Sequence, residues 1–309
     1  MAADTVVDVD GRRLSLTNLD KPLFPSGFTK AEVIGYYSQV AEAMLPHLRD
    51  RPLTLKRYPN GTGGSHFFEK QCPRHAPDWV RRGAVPRKRG DTSMIEYCLA
   101  NDRSTLVWLA NLAAIELHPL LARFPDVSNP TEIVFDLDPG APADIIACAQ
   151  VAVRLRRRLE DEGFESFPKT SGSKGLQVYV PLNSPADYEQ TKPYANAMAV
   201  ALKTDLPDLV VEKMDRSLRK SKVLVDWSQN HDTKTTVCAY SLRAMEEPTV
   251  STPVTWEEVE SALRAEDAAR LRFDATCVLR RLDRHGDLFA PVETLVQPVP
   301  GRPRGSPAS

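Results

Sequence analysis

Ile133-Val134-Phe135-Asp136-Leu137-Asp138-Pro139-Gly140 reads as a buried strand that ends in two acids and a turn. The apolar run at 133–135 sets the strand, and Pro139-Gly140 stops it. Side chains alternate along a strand, so Asp136 and Asp138 share one face. Two carboxylates that close repel, and each raises the other's pKa unless a cation neutralises them. Mg²⁺ is suited to the task, because it takes carboxylate oxygens together with substrate phosphates. The plainer alternative is a strand end whose solvated acids cap the next helix. Acids that interrupt an apolar strand favour the metal reading.

Two further segments extend it. Ser171-Gly172-Ser173-Lys174-Gly175 combines glycines that allow close backbone approach to phosphate oxygens, two hydroxyls and a point charge. It lacks the early glycine and the Lys-Ser/Thr ending of a Walker A loop. Leu176 to Val180 then alternates as a strand, with Gln177 on the face opposite Leu176 and Val178. Val223-Leu224-Val225 is a second apolar run, and it ends at Asp226 behind Arg216, Arg219, Lys220 and Lys222. A lone acid at a strand end is most often a turn former. Beside the Asp136/Asp138 pair it becomes a candidate third metal ligand. Three carboxylates and a lysine loop are what a two-metal enzyme needs to handle a nucleoside triphosphate.

Composition limits the alternatives. The 309 residues carry 40 Lys+Arg against 41 Asp+Glu, a net charge of −1, so any nucleic-acid surface is local. Basic runs occur at Arg81-Arg82, Arg87-Lys88-Arg89, Arg154 to Arg158 and Arg216 to Lys222. The Arg154 run lies in a helical pattern and reads as a solvated helix face. The five cysteines (72, 98, 148, 238, 277) show no zinc spacing, and the chain shows no signal peptide. Both point to reduced thiols in a cytoplasmic protein. The apolar stretch from Leu106 to Leu117 is too short to span a bilayer.

Along the chain, Val6 to Leu16 reads as a strand. Thr29-Lys30-Ala31-Glu32 is a capping box that starts a helix. Leu53 to Tyr58 is a strand, Ala84 to Lys88 and Ser93 to Leu99 form a basic-tipped hairpin, and Ser104 to His118 is a helix running into a strand. Helices follow at about 143–162 and 187–205. A second capping box at Thr255 opens another, and Cys277 to Asp283 is helical. No linker divides the interior. The expected fold is therefore a single α/β domain over 1–295, with a mixed sheet, an N-terminal extension at 1–60, and a disordered tail at 296–309.

Seven ordered motifs then resemble one family. They are Leu16-Thr17-Asn18-Leu19-Asp20-Lys21, Lys56-Arg57-Tyr58-Pro59-Asn60-Gly61, Phe67-Phe68-Glu69-Lys70, the Asp136 and Lys174 segments, Asp226-Trp227-Ser228-Gln229-Asn230 and Tyr240-Ser241-Leu242-Arg243. The chain resembles the polymerase domain of bacterial ligase D, in the archaeo-eukaryotic primase superfamily, in a stand-alone form. The resemblance implies a primase-polymerase fold whose central sheet is largely antiparallel and flanked by helices. It implies Mn²⁺ or Mg²⁺ on Asp136, Asp138 and Asp226, with ribonucleotides often preferred. It places Lys56, His118, Ser171, Lys174, Gln229 and Arg243 at the nucleotide, with Arg219 nearby. Asn18, Lys21 and Lys30 match positions that grip a DNA 5′-phosphate. Phe67 and Phe68 match aromatics that stack on bases, and Arg57 adjoins them as a DNA contact. Taken alone, one of the two phenylalanines would be core, His118 would be a core histidine, and the two lysines would be ordinary surface residues.

The implied partners are DNA with gaps or 3′ overhangs bearing a 5′-phosphate, nucleoside triphosphates, Ku and a separate DNA ligase. The implied state is a monomer off the membrane in a bacterial cytoplasm. One position departs from the family, which usually has His where this chain has Gln177. A lost charge-assisted bond is worth about 1–3 kcal/mol, so from sequence Gln177→His is expected to lower the KM for nucleotide. Two competing classes remain open: a metal-dependent phosphoesterase, which Asp-x-Asp also fits, and a non-catalytic DNA-end-binding module.

Overall fold

The computed structural model describes residues 5–87, 90, 92–299 and 301. Strands β1 (Thr5–Val9) and β2 (Arg12–Leu16) precede helix α1 (Lys30–Met44), β3 (Leu53–Arg57), β4 (Phe67–Glu69), β5 (Arg82–Pro86) and β6 (Met94–Cys98). Next come α2 (Arg103–Asn111), β7 (Ala114–Pro119), β8 (Glu132–Pro139), α3 (Ile145–Asp161), β9 (Phe167–Thr170) and β10 (Leu176–Pro181). The rest supplies α4 (Tyr188–Asp205), β11 (Val210–Val211), β12 (Val223–Asp226), α5 (Trp256–Ala265), α6 (Ala275–His285) and α7 (Ala290–Thr294). The expected mixed α/β architecture with largely antiparallel sheets is present. Among the described residues, no helix is long and apolar enough to cross a membrane.

The residues group into two compact units. The first takes the chain up to 125, then 235–251 and 273–286. The second takes 126–234, 252–272 and the residues from 287 on. The segment read from sequence as an N-terminal extension is thus part of the first unit. No linker announces the division, because the chain passes between the units five times, at 125/126, 234/235, 251/252, 272/273 and 286/287.

In the first unit, β3 pairs with β4, β6 and β7, and β6 pairs with β5. Helix α1 begins at the expected box, with Thr29 and Glu32 bonding reciprocally. Its Tyr36 and Tyr37 are buried, and their hydroxyls donate to the carbonyls of Tyr240 and Ile115. The single strand expected over Val6 to Leu16 is instead a hairpin. Asp10 and Gly11 both adopt positive φ, 50° and 78°, which makes the two-residue turn that suits twisted strands.

The cysteine expectation is also corrected. Cys72 and Cys98 are disulfide-bonded, while Cys148, Cys238 and Cys277 are free. The Cys72 amide donates to the Glu96 carbonyl, which lays the segment after β4 along β6. That tertiary pairing spans 26 residues, so no spacing motif reveals it.

In the second unit the sheet order is β11-β12-β8-β10-β9, antiparallel except for β11 with β12. Phe135, Leu137, Leu176, Val178 and Val225 are fully buried, and α3 and α4 pack against this sheet. The arginine run of α3 is less solvated than expected. Arg154 and Arg158 both bond Asp205 of α4, and Arg156 reaches Glu160 and Glu260. Two glycines are dictated by backbone contact. A Cβ on Gly140 would lie 1.9 Å from the Arg219 carbonyl oxygen, and one on Gly175 would lie 2.2 Å from that of Leu137. Gln297 was assigned to the tail from sequence. It is buried, and its side chain bonds Glu165 and the Pro181 carbonyl. Lys88 and Arg89 of the basic hairpin tip, and 302–309 of the tail, lie outside the described residues.

Candidate active site

The register of four strands builds a row. Asp226 on β12 lies opposite Asp136 on β8, Asp136 opposite Gln177 on β10, and Gln177 opposite Lys169 on β9. Directly opposed residues share a face, so two acids, an amide and an ammonium line up across the sheet. Asp138 joins the same face two residues beyond Asp136. Burial pushes the Asp136 carboxyl up to about 7, and repulsion from Asp138 and Asp226 adds to it. The Gln177 hydrogen bond and the Lys169 charge act in the opposite direction.

Asp226 has a second task. It accepts bonds from the Ser228 amide at 2.9 Å, the Ser228 hydroxyl at 2.6 Å and the Gln229 amide nitrogen at 3.1 Å. It thereby caps the 3₁₀ turn Trp227–Gln229. Buried Asn230 clips that turn to β8, bonding both the amide and the carbonyl of Val134. Among the described residues, no three His, Cys, Asp or Glu side chains close into a metal-ligating cluster. The donors nevertheless fit a hard divalent cation. They are carboxylate oxygens on one sheet face, where burial first and then repulsion from Asp138 and Asp226 raise the Asp136 pKa and a bound cation would relieve both.

The Lys174 loop joins β9 to β10. Ser171 Oγ accepts from the amides of Ser173 and Gly175 and so shapes the loop from within. Lys174 itself is exposed. Gly175 is required by its approach to the Leu137 carbonyl, a constraint within the sheet. Arg219 donates from Nη2 to the Met214 carbonyl at 2.6 Å, while its Nε is buried without a partner.

The first unit holds a separate cluster centred on Glu116, which is only 2% exposed. Its carboxylate meets His118 Nε2 at 2.9 Å, and Lys56 Nζ and Arg243 Nε at 3.4 Å each. It also accepts from the Ala244 amide and the Tyr58 hydroxyl. Burial alone would raise Glu116. The His118 bond and the charges of Arg243, His118 and Lys56 outweigh it and hold the carboxyl well below its usual range. Burial lowers His118 despite its carboxylate partner.

Lys56 Nζ stands 5.6 Å from the Phe68 ring centre, and the Arg57 guanidinium 5.2 Å from that of Phe67. Both rings are exposed, 44% for Phe67 and 60% for Phe68. The expectation that one of them is core fails because β4 is a three-residue edge strand, where Phe68 meets the rings of His66 and His118 edge-on and both phenylalanines stay exposed.

Also in the first unit, Lys30 is 6% exposed and donates to Thr17 Oγ1. Burial, and then the neighbouring charge of Lys21, bring its pKa down to about 8. Lys21 Nζ bonds the Pro59 carbonyl at 2.6 Å. Asn18 sits at φ 53°, and its carbonyl accepts the Lys21 amide. Among the described residues, neither lysine has a carboxylate partner.

Two residues of these clusters were not singled out from sequence, Glu116 and Lys169, and Asn230 appeared there only as the end of a motif. Glu116 interrupts the apolar run Ala114 to Leu117, the same signal that singles out Asp136. Lys169 carries no such mark, since only the β9–β10 register brings it to Gln177.

Comparison with known proteins covers most of the chain. The family described as LigD, primase-polymerase domain, matches residues 29–289. The multifunctional non-homologous end joining protein LigD of Mycolicibacterium smegmatis is 44% identical over 284 residues, 91% of this chain and 36% of that protein. The bifunctional LigD of Bacillus subtilis is 37% identical over 255 residues, 81% of this chain and 40% of that protein. The chain therefore spans well under half the length of these curated relatives. The polymerase domain from Mycobacterium tuberculosis ligase D, solved in complex with DNA, superposes with a TM-score of 0.84 at 40% identity. That match covers 92% of this chain and 99% of the other.

Proposed function

Because the chain belongs to the LigD primase-polymerase domain family, we propose that it is a DNA-directed nucleotidyltransferase that fills gaps and extends ends during double-strand break repair. One observation carries the reading: the shared face of Asp136, Asp138 and Asp226, fixed by strand alternation and by the β8–β12 register. These carboxylates would hold Mn²⁺ or Mg²⁺. Such ions, when bound, neutralise phosphate charge and polarise the attacking and leaving oxygens.

The chain's own groups account for binding and orientation. Lys174 supplies a solvated point charge for triphosphate oxygens on a loop that Ser171 holds in shape. Gln229, which donates to Asp226, and Arg219 serve as further nucleotide contacts. In the first unit, Glu116 organises Lys56, His118 and Arg243 as a nucleotide-binding group. Exposed Phe67 and Phe68, with Arg57 beside them, suit base stacking. Lys21 and Lys30, with Asn18, suit a 5′-phosphate, because two ammonium groups without a carboxylate match a dianion. Ribonucleotide preference, and work alongside Ku and a DNA ligase, belong to the same reading.

The test is primer extension on gapped DNA bearing a 5′-phosphate, with Mn²⁺ and with ribo- or deoxynucleotides side by side. The expected result is extension that favours ribonucleotides. Asp138→Ala should lose at least roughly a thousandfold in rate while binding the same DNA within about twofold. Normal extension by that variant would refute the metal assignment. Degradation of the primer would indicate a phosphoesterase, and binding without extension an end-binding module.

A further inference from the structure

Lys169 has an ammonium in a place that costs stability. Its exposure is zero, and a buried cation is expensive where an apolar side chain of similar size would be cheap. Its Nζ lies 2.5 Å from Gln177 Oε1 and 5.5 Å from the centre of the Tyr179 ring. Gln177 is itself 3% exposed, and its side chain bonds Asp136 on the far side.

The hydrogen-bond inventory of the three groups allows one arrangement. An ammonium only donates, and an ionised carboxylate only accepts. An amide between them satisfies both only with its oxygen toward Lys169 and its NH₂ group toward Asp136. The two ends of a glutamine amide are nearly the same shape, so packing does not choose between them. Lys169 does.

We propose that Lys169 is a positioning residue for the carboxylate row: it fixes the Gln177 amide with its NH₂ toward Asp136, and through it holds Asp136 where a divalent cation is taken up. This rests on the nucleotidyltransferase reading for its purpose, but not for its measurement. Without Lys169 the amide is free to turn its oxygen onto Asp136, and the acid loses its donor. The Lys169–Gln177 pair is thus one unit.

The experiment is a double-substitution cycle with two readouts that use no primer: thermal unfolding, and Mn²⁺ binding followed by the paramagnetic signal of the free ion. Lys169→Met removes the donor to the Gln177 oxygen, and Gln177→Leu removes that acceptor from the ammonium. Each should lower Tm, and the double variant should lose clearly less than the sum. Lys169→Met should weaken Mn²⁺ binding roughly three- to tenfold, the size of one lost hydrogen-bond constraint. In the Gln177→Leu background the same change should have no further effect on Mn²⁺. Lys169→Leu likewise has no donor and repeats the comparison if the methionine variant does not fold. Additive Tm losses would overturn the coupling. A Tm loss with Mn²⁺ affinity unchanged in every Lys169 variant that folds would leave Lys169 a packing residue and overturn the proposal. A protein that passes both readouts yet never extends a primer would refute the polymerase reading alone.

Discussion

At Gln177 the structure reverses an expectation. From sequence, histidine there supplies a missing charge. In the structure the position is bonded on both sides, to Lys169 and to Asp136. Gln177→His places a shorter ring against a buried ammonium, so kcat/KM should fall at least about threefold, as one disrupted hydrogen bond predicts. Steady-state extension kinetics check this, and a gain would contradict it. Lys30 offers a second residue-scale outcome. Its folded pKa, about 8, lies below the ordinary 10.5 because of burial and then Lys21. Between those values the unfolded chain binds the extra proton, so stability rises with pH from about 8 to 10.5. Below about 8 the buried charge burdens the fold. Lys30→Met should therefore raise Tm at pH 7 by roughly 2 °C or more, while losing discrimination for a 5′-phosphate in binding assays. The acids of the row were legible because charge inside an apolar strand is conspicuous. Lys169 was not, because its meaning lies in a cross-strand neighbour eight residues away.

At the scale of elements, local chemistry was the most readable part. The boxes at Thr29 and Thr255 cap α1 and α5 as their residue types dictate, and an unpredicted box at Asp187 caps α4. The β1–β2 turn was missed although Asp-Gly is the usual signal for it, because the alternating pattern runs on through it. Helix pairing was not readable at all. The bond from Arg158 first, with burial opposing and Arg154 assisting, brings the Asp205 carboxyl down to about 2. A lowered pKa contributes stability above the unfolded value, near 3.9, that is lost as pH falls toward about 2. Asp205→Asn should cost about 1–2 kcal/mol at pH 7, at the low end because Arg154 is partly exposed. Urea unfolding at pH 7 and pH 3 checks it: the gap from the parent protein should narrow at the lower pH.

For the whole molecule, a net charge of −1 means that DNA is not drawn in by overall attraction. On the proposed function, recognition of DNA falls to local cations such as Lys21 and Lys30. Replacing both with alanine should flatten the dependence of log affinity on log salt by roughly 2 for gapped DNA with a 5′-phosphate. It should change little when that phosphate is removed. Titrations at several salt concentrations decide the matter, and an unchanged slope would place the phosphate elsewhere. The five passages of the chain between its two units also bear on how it is made. A ribosome delivers residues in order, yet the Tyr36 hydroxyl awaits a carbonyl 204 residues later. Tyr37 awaits Leu242, and Glu116 awaits Arg243. A nascent chain halted at Asn230 already carries every acid of the row but leaves the buried Tyr36 hydroxyl without its acceptor. Such a chain is exposed to proteases until residues 235–251 have been made, so the first unit closes only after the acids of the second are in place.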